Sequence, residues 1–158
     1  PAQYAKWSNL INGEIPNTQW DDVTTSLRDI DTTKVHYVKP PLNHIVIDFD
    51  LKDEDGNKSA ERNVEEASKW PVTYAEFSKG GSGLHLHYIY DGEPESLSRV
   101  FSDGIEIKVF VGNASLRRRL SKCNNVPVAR LASGLPLKEK KMINFEGVKS
   151  ERALRDLI

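Results

Sequence analysis

The chain has 158 residues, with 22 basic and 23 acidic side chains, so its bulk charge predicts no strongly charged partner. Its single cysteine excludes an internal disulfide framework and a zinc module built from cysteines, and it favours a reducing compartment. The sequence contains no apolar run long enough to cross a bilayer. The length suits one domain with a substantial core.

The N-terminal part is predicted to be helical. Residues 3–12 and 19–30 carry apolar side chains at helical spacing, and Gly13 and Pro16 separate the two segments. A short strand is predicted next, over residues 35–38.

The strongest strand prediction covers residues 44–51, where apolar and polar side chains alternate and Asp48 and Asp50 share one face. Two such carboxylates lie about 6–7 Å apart along a strand. They offer the hard oxygen ligands that suit Mg²⁺ or Mn²⁺, and a pair of these ions supports nucleotidyl transfer. The alternative is a solvated strand face without a metal.

The middle of the chain combines a helix with two strands. A charged, amphipathic helix is predicted over residues 59–70, capped by Ser59 and ended by Pro71. Strands are predicted over residues 72–77 and 84–90.

A glycine-rich loop over residues 78–83 leads to two histidines that share one strand face, His85 and His87. Glycines let backbone N–H groups turn toward an anion, and Lys79 and Ser82 add donors. A charged imidazole at His85 can bind a triphosphate. The alternative is a hairpin turn with a surface histidine. For His87 we favour a histidine satisfied at the edge of the core over a second anion contact.

A third polar strand is predicted over residues 105–111, where Glu106 and Lys108 share a face. Glu106 supplies a third carboxylate or forms a cross-strand ion pair. Lys108 contacts a phosphate or is an ordinary surface lysine. Short helices are predicted on either side of this strand, over residues 95–101 and 114–121.

The clearest basic run is Arg117, Arg118 and Arg119, which would project in three directions from a helix. Arg118 or Arg119 could meet template phosphates, and a solvated face is an equal alternative. Arg130 lies on an extended stretch over residues 127–132 and is a weaker candidate for contact with nucleotide or nucleic acid.

Three motifs in this order, HIVIDFD, SKGGSGLHLH and GIEIKVF, resemble those of the archaeo-eukaryotic primase superfamily. The resemblance spans about residues 44–111. The stretch EIKVFVGNASLRRRL, followed by SGLPLKE, is similar to phage-type primase-polymerases and extends the resemblance to about residue 139. Two positions depart from the pattern: the third acid is Glu106 instead of the commoner aspartate, and Gly83 stands where a serine is expected two residues before His85.

The resemblance implies an α+β fold, with an RNA-recognition-motif-like, mainly antiparallel sheet flanked by helices. It assigns Mg²⁺ or Mn²⁺ to Asp48, Asp50 and Glu106, and the nucleotide's triphosphate to His85, Ser82 and Lys79. The implied reaction is template-directed nucleotidyl transfer from NTP or dNTP on single-stranded DNA, with release of pyrophosphate. This interpretation also implies a helicase domain or partner and a cytoplasmic location in a bacterial host. It implies no membrane partner.

We therefore expect one catalytic domain over residues 1–158, with a helical part at 1–33, a core at 34–139 and a helical tail at 140–158. The proline start and the amphipathic end suggest a fragment of a longer replication protein. Two other classes of function stay open. One is a replication endonuclease of the His-hydrophobe-His type, although no tyrosine follows Tyr90. The other is a non-catalytic nucleic-acid-binding domain.

Overall fold

The computed structural model describes residues 1–138, which form two β-sheets and one α-helix. In chain order the elements are β1 (Ala2–Ser8), β2 (Gly13–Pro16), β3 (His36–Val38), β4 (His44–Phe49), α1 (Ala60–Ala67), β5 (Ala75–Phe77), β6 (Leu84–Tyr90), β7 (Val100–Ser102), β8 (Ile105–Val109), β9 (Leu116–Arg118) and β10 (Ala129–Leu131). Within these residues, no helix is both long and apolar enough to span a membrane.

The larger sheet has β4 at its centre, between β6 and β8, and both of these strands run antiparallel to β4. The outer edge of β6 pairs with β5 near its start and with β10, in parallel, near its end. The smaller sheet has the order β2-β1-β3-β9 and is antiparallel throughout. The predicted α+β class with mainly antiparallel sheets is therefore confirmed at this coarser level.

One face of the larger sheet forms the main core. Ile45, Ile47 and Phe49 are fully buried on β4, and they meet apolar side chains of β6 and β8 on the same face. Helix α1 covers this face through Ala67, with Trp70 packed just beyond the helix end. The strict alternation along β4 leaves the polar side chains for the opposite face.

The cap of α1 is confirmed: the Ser59 side chain accepts a hydrogen bond from the Arg62 backbone N–H at 3.1 Å. This bond satisfies one of the unpaired N–H groups in the first helical turn.

The predicted N-terminal helices are wrong. Residues 3–12 contain β1 and the turn of a β1–β2 hairpin, and residues 19–30 contain only two short 3₁₀ turns. Asn12 adopts a left-handed φ of 53° in that turn, a conformation that asparagine tolerates better than most residues. Because β3 and β2 pair with both edges of β1, strand pairing overrides the helical spacing of the apolar side chains.

The two short helices predicted around the third polar strand are also corrected. Residues 95–101 contain a 3₁₀ turn and the start of β7, and residues 114–121 contain β9, which is held by antiparallel pairing with β3. The predicted helical tail over residues 140–158 lies outside the described residues.

Candidate active site

Three polar side chains from different strands form a row across the centre of the larger sheet. Asp48 on β4 is the direct partner of His85 on β6 and of Glu106 on β8. Directly opposed side chains of antiparallel strands share a face, with Cβ atoms about 4.5–5.5 Å apart. The structure thus brings together three predicted site residues that lie far apart in the chain.

Asp48 contacts a cationic side chain and a histidine in this row. Its Oδ1 atom lies 3.5 Å from His85 Nε2, and its Oδ2 atom lies 3.4 Å from Lys108 Nζ. The Asp48 side chain is only 19% exposed, so these contacts compensate a largely desolvated carboxylate. Lys108 is therefore placed on the site face, as the alternation of β8 predicted.

The other two acids are more open. Asp50 is exposed just beyond β4, where its N–H donates to the Gly104 carbonyl at 2.8 Å and ties the end of β4 to the β7–β8 turn. Glu106 is 43% exposed and lies 3.7 Å from Arg99. Two of the acids therefore have oxygens open to a ligand, while Asp48 forms the inner wall.

A polar cleft of about 440 Å³ lies beside this row. It is lined by acidic, basic and loop residues: Asp48, Asp50, Lys58, Ser78, Lys79, Gly80, Ser82, Gly83, His85, Lys108, Ser115, Leu116 and Arg117. Glu106 is not among these lining residues and adjoins Asp48 from β8. The glycine-rich loop and two of the predicted acids thus face the same space.

The glycine-rich loop is held in shape by internal bonds and by α1. Ser78 N–H donates to the Gly83 carbonyl at 2.8 Å, and Gly81 has a φ of +87°, which suits glycine. Asn63 on α1 is fully buried, donates to the Ser82 carbonyl at 2.8 Å, and accepts from the Leu51 N–H at 2.8 Å. Asn63 therefore couples the loop to the end of β4.

Close packing explains why glycine stands at position 83. A Cβ atom added to Gly83 would lie 2.7 Å from Ser78 Oγ and 3.4 Å from the Phe49 carbonyl oxygen. Both Ser78 and Ser82 line the cleft.

A buried polar group lies behind the cleft. Glu76, His85 and His87 each offer a ligand atom within 4.8 Å of the others, so this group could hold a metal ion. Glu76 Oε1 also accepts hydrogen bonds from Arg118 Nη1 at 2.6 Å and from the Tyr74 hydroxyl at 2.8 Å. Sequence analysis missed Glu76; its alternation with Tyr74 along one strand was the signal that could have found it.

The electrostatics of this group favour an ionised Glu76. Burial acts to raise the pKa of Glu76, but its contacts with His85 and His87 and the charge of Arg118 outweigh burial and hold that pKa well below its usual range. Burial lowers the pKa of His87. His87 Nδ1 lies 2.8 Å from His44 Nε2, but the buried His87 Nε2 has no hydrogen-bond partner among the described residues and lies 3.5 Å from Glu76 Oε1. The prediction of a satisfied histidine therefore holds for only one of the two ring nitrogens.

The arginines of β9 alternate between two faces, because they lie on a strand and not on the predicted helix. Arg118 is buried, with Nη1 on Glu76 and Nε 2.9 Å from His36 Nε2, so it is unavailable to template phosphates. Arg117, which the sequence analysis did not choose for contact with phosphates, lines the cleft.

The remaining two predicted arginines are on the surface. Arg119 is exposed and its Nη2 atom lies 3.5 Å from the Lys79 carbonyl of the glycine-rich loop. Arg130 is exposed and pairs with Asp91 at 2.8 Å, outside the cleft lining. Only Arg119 therefore lies next to the candidate site.

No protein-family model matches the chain, and no match was found among curated proteins.

Proposed function

We propose that this chain is a metal-dependent nucleotidyltransferase that extends a nucleic-acid strand on a single-stranded DNA template. The observation that carries the proposal is the cross-strand row of His85, Asp48 and Glu106 beside a cleft lined by the glycine-rich loop. The resemblance of the three motifs to the primase superfamily supports it, and an RNA-recognition-motif-like core is the corresponding fold proposal.

The donor set suits the metal ions that this chemistry uses. Asp48, Asp50 and Glu106 offer carboxylate oxygens, which Mg²⁺ and Mn²⁺ prefer. The Lys108 ammonium lies 3.4 Å from Asp48 Oδ2, so this carboxylate already pairs with a positive charge in the structure. When bound, the ions would activate the attacking hydroxyl and neutralise charge on the leaving group.

The rest of the cleft suits a polyphosphate. Lys58, Lys79, Lys108 and Arg117 line it with positive charge, and the loop glycines allow N–H groups to face an anion. In the proposed reaction, a bond forms between the primer 3′-oxygen, or that of an initiating nucleotide, and the α-phosphorus of an NTP or dNTP. The bond to the pyrophosphate oxygen breaks, and the proton of the attacking 3′-hydroxyl passes to solvent. His85 donates a hydrogen bond to the departing phosphates when Nε2 carries a proton.

The proposed partners follow from this reaction. Arg119 beside the loop is the described arginine best placed for template phosphates. A helicase domain or partner acting in the bacterial cytoplasm would supply the single-stranded template.

A primer-extension assay tests the proposal. The chain is incubated with a primed single-stranded template, each class of nucleotide, and Mg²⁺ or Mn²⁺ in turn. We expect incorporation that stops on metal removal and falls by about 10²–10³-fold in Asp48→Asn. The matched control is Asp91→Asn, whose carboxylate lies outside the cleft. Equal incorporation by Asp48→Asn and the unchanged chain would contradict the proposal.

The buried carboxylate and two histidines give a second candidate, a metal-dependent endonuclease. His87 is only 5% exposed and Glu76 only 1%, so a substrate phosphate would not reach an ion bound between them. A covalent protein–DNA adduct after incubation with single-stranded DNA would favour this candidate over the first.

A further inference from the structure

One face of the smaller sheet carries residues that reach the candidate active site. Tyr37 on β3 is the direct partner of Gln3 on β1 and of Arg117 on β9. Trp7 on β1 is the direct partner of Glu14 on β2. Opposed residues share a face, and positions 3 and 7 lie on the same face of β1, so these five side chains belong to one face. We call it the concave face.

The curvature of the concave face follows from contacts between strands that are not neighbours. Arg117 Nη1 on β9 lies 3.7 Å from Glu14 Oε1 on β2, although β1 and β3 lie between these strands. The Tyr37 hydroxyl also reaches across β1 and donates to the Glu14 carbonyl at 2.9 Å. The two edges of the sheet therefore approach each other, and Tyr37 is buried beneath them.

Trp7 lies at the open rim of the concave face. The residue is 59% exposed, and its indole N–H donates to Asn9 Oδ1 at 3.0 Å. The polar edge of the ring is thus satisfied within the hairpin, while most of the ring stays in water. Tryptophan is highly buried on average, because its large apolar surface gains much from leaving water. An exposed indole of this kind suits a flat aromatic ligand.

A path of positive charge connects the surroundings of Trp7 to the cleft. Glu14 stands beside Trp7, and its Oε1 atom lies 3.7 Å from Lys79 Nζ. The same oxygen lies 3.7 Å from Arg117 Nη1, and both of these cations line the cleft. Arg119 extends the path, because its Nη2 atom lies 3.5 Å from the Lys79 carbonyl. Three cations and one carboxylate lie along this path, which leaves it with an excess of positive charge.

We propose that Trp7 is a stacking platform for a base of single-stranded DNA, whose phosphates follow Arg119, Lys79 and Arg117 toward the cleft. Proteins that bind single strands without sequence preference combine these two features, an aromatic ring for a base and a positively charged path for the backbone. The platform selects single strands, because a duplex keeps its bases stacked on each other. That the bound strand is the template rests on the proposed function, whereas the binding itself does not.

Two further apolar side chains are exposed in the turn of the same hairpin. Leu10 is 94% exposed and Ile11 is 60% exposed. Neither offers a ring on which a base could stack, so these two residues suit a protein partner better than a nucleic acid. The excess of positive charge beside Trp7 favours a polyanion instead. The two occupants therefore differ in whether binding depends on Leu10 or on the ring of Trp7.

Fluorescence anisotropy of a labelled oligo-dT strand tests the platform without any reaction. The full chain is titrated into the strand in the absence of nucleotide and divalent metal. We expect Trp7→Leu, which stays apolar but lacks the ring, to weaken binding about tenfold or more, and Trp7→Phe to weaken it less than about threefold. The matched control is Leu10→Ala, which should bind like the unchanged chain.

A second measurement keeps the test valid if Trp7→Leu does not fold. The unchanged chain is labelled with 5-fluorotryptophan, and Trp7→Phe assigns the ¹⁹F signal of Trp7 among the three tryptophans. We expect oligo-dT to shift the Trp7 signal more than the other two. An unshifted Trp7 signal at saturating oligo-dT would overturn the platform.

The charged path gives two predictions of opposite sign. Arg119→Gln should reduce the slope of the logarithm of the binding constant against the logarithm of salt concentration by about 0.7, because one phosphate contact is lost. Glu14→Gln should tighten binding about fivefold at low salt, because it removes a carboxylate from the path of the phosphates. A hairpin that docks on a protein predicts neither change.

The outcomes separate the platform from the proposed function. The platform is overturned if the unchanged chain does not bind oligo-dT, if Trp7→Leu binds as tightly as the unchanged chain, or if Leu10→Ala loses as much affinity as Trp7→Leu. The expected binding pattern with no incorporation by the unchanged chain would support the platform and overturn the proposed nucleotidyl transfer. Incorporation by the unchanged chain, with equal oligo-dT binding by Trp7→Leu, would do the reverse.

Discussion

At the scale of single residues, the polar face of the larger sheet contains ionisable groups with very different surroundings. Asp48 is largely buried between His85 and Lys108, whereas Glu106 keeps almost half of its side chain in solvent. The alternation of each strand was sufficient to predict which of its own side chains share a face. It could not predict that Arg118 would contact Glu76, because that contact joins residues 42 positions apart in the chain.

The Glu106 carboxylate should contribute far more to primer extension than its ion pair with Arg99 does. We expect Glu106→Gln to lower primer extension by about 10²-fold, since a proposed metal ligand is lost. Arg99→Gln should change extension by less than about twofold, because exposed ion pairs contribute little. The measurement is the rate of nucleotide incorporation at saturating metal. Equal losses in the two variants would contradict a ligand role for Glu106.

The buried histidines should make the fold sensitive to acid. Burial, with the nearby His87, lowers the pKa of His44 from 6.5 to about 4. A neutral buried histidine stabilises the fold at neutral pH, and that contribution is lost as pH falls below 6.5, because the unfolded chain then binds more protons. We expect the free energy of unfolding to fall by on the order of 2 kcal/mol between pH 7 and pH 5, since partial exposure weakens the effect.

Chemical denaturation at each pH checks this prediction, and His44→Gln is the comparison. The variant should show a smaller loss over the same range. The range from pH 7 to pH 5 lies above the usual pKa of a carboxylic acid. The depressed pKa of Glu76 also gives stability, but that contribution is lost only at lower pH. A steeper loss in His44→Gln would contradict the assignment.

At the scale of elements, the accuracy of each helix or strand prediction depended on whether the segment pairs with a neighbouring strand. The three polar strands and α1 were predicted because their periodicity is strict and their faces are buried. Residues 3–12 and 114–121 were predicted as helices, but they contain β1 and β9, which pair with the two edges of β3. Residues 19–30 were also predicted as a helix and contain two short 3₁₀ turns. Local spacing could not reveal those partners.

The glycine-rich loop gives a prediction at this scale. We expect Gly83→Ala to destabilise the fold by about 1–3 kcal/mol, because the new Cβ would overlap Ser78 and force the loop to move. KM for the nucleotide should rise with the displaced loop. The control is Gly80→Ala, where no atom lies within 4 Å of the added Cβ and both values should stay close to those of the unchanged chain. Thermal unfolding and nucleotide titration give the two readouts.

At the scale of the whole molecule, a buried ion pair links the two sheets. Arg118 belongs to the smaller sheet and Glu76 to the larger one, and the His36 ring on β3 holds the other side of the guanidinium. A small buried apolar cluster contains Val46, Phe110 and Leu116. It lies on the face of β4 that carries Asp48, because Val46 and Asp48 are two residues apart on the strand. The smaller sheet is thus linked to the larger one by this buried ion pair, by a limited apolar contact, and by a partly exposed ion pair between Lys79 and Glu14 of β2.

Loss of this link should destabilise the whole fold. We expect Arg118→Met to lower the free energy of unfolding by about 3–5 kcal/mol, because Glu76 would be left as a buried charge without its partner. The neighbouring Arg117 is the control: its side chain is 48% exposed, so Arg117→Met should cost less than about 0.5 kcal/mol. Denaturant titrations of both variants provide the comparison, and equal values would contradict the role of the ion pair.

The sequence by itself determined the three polar strands, the face that each acid and histidine occupies, the helix that covers the core and the loop that precedes His85. These features follow from periodicity and local turn chemistry, which act over a few residues. Only the tertiary structure decided the register that sets Asp48 beside His85 and Glu106, the strand identity of the N-terminal segment, and the burial of Glu76 and Arg118. Those depend on pairing between distant segments, which local spacing and propensity do not determine.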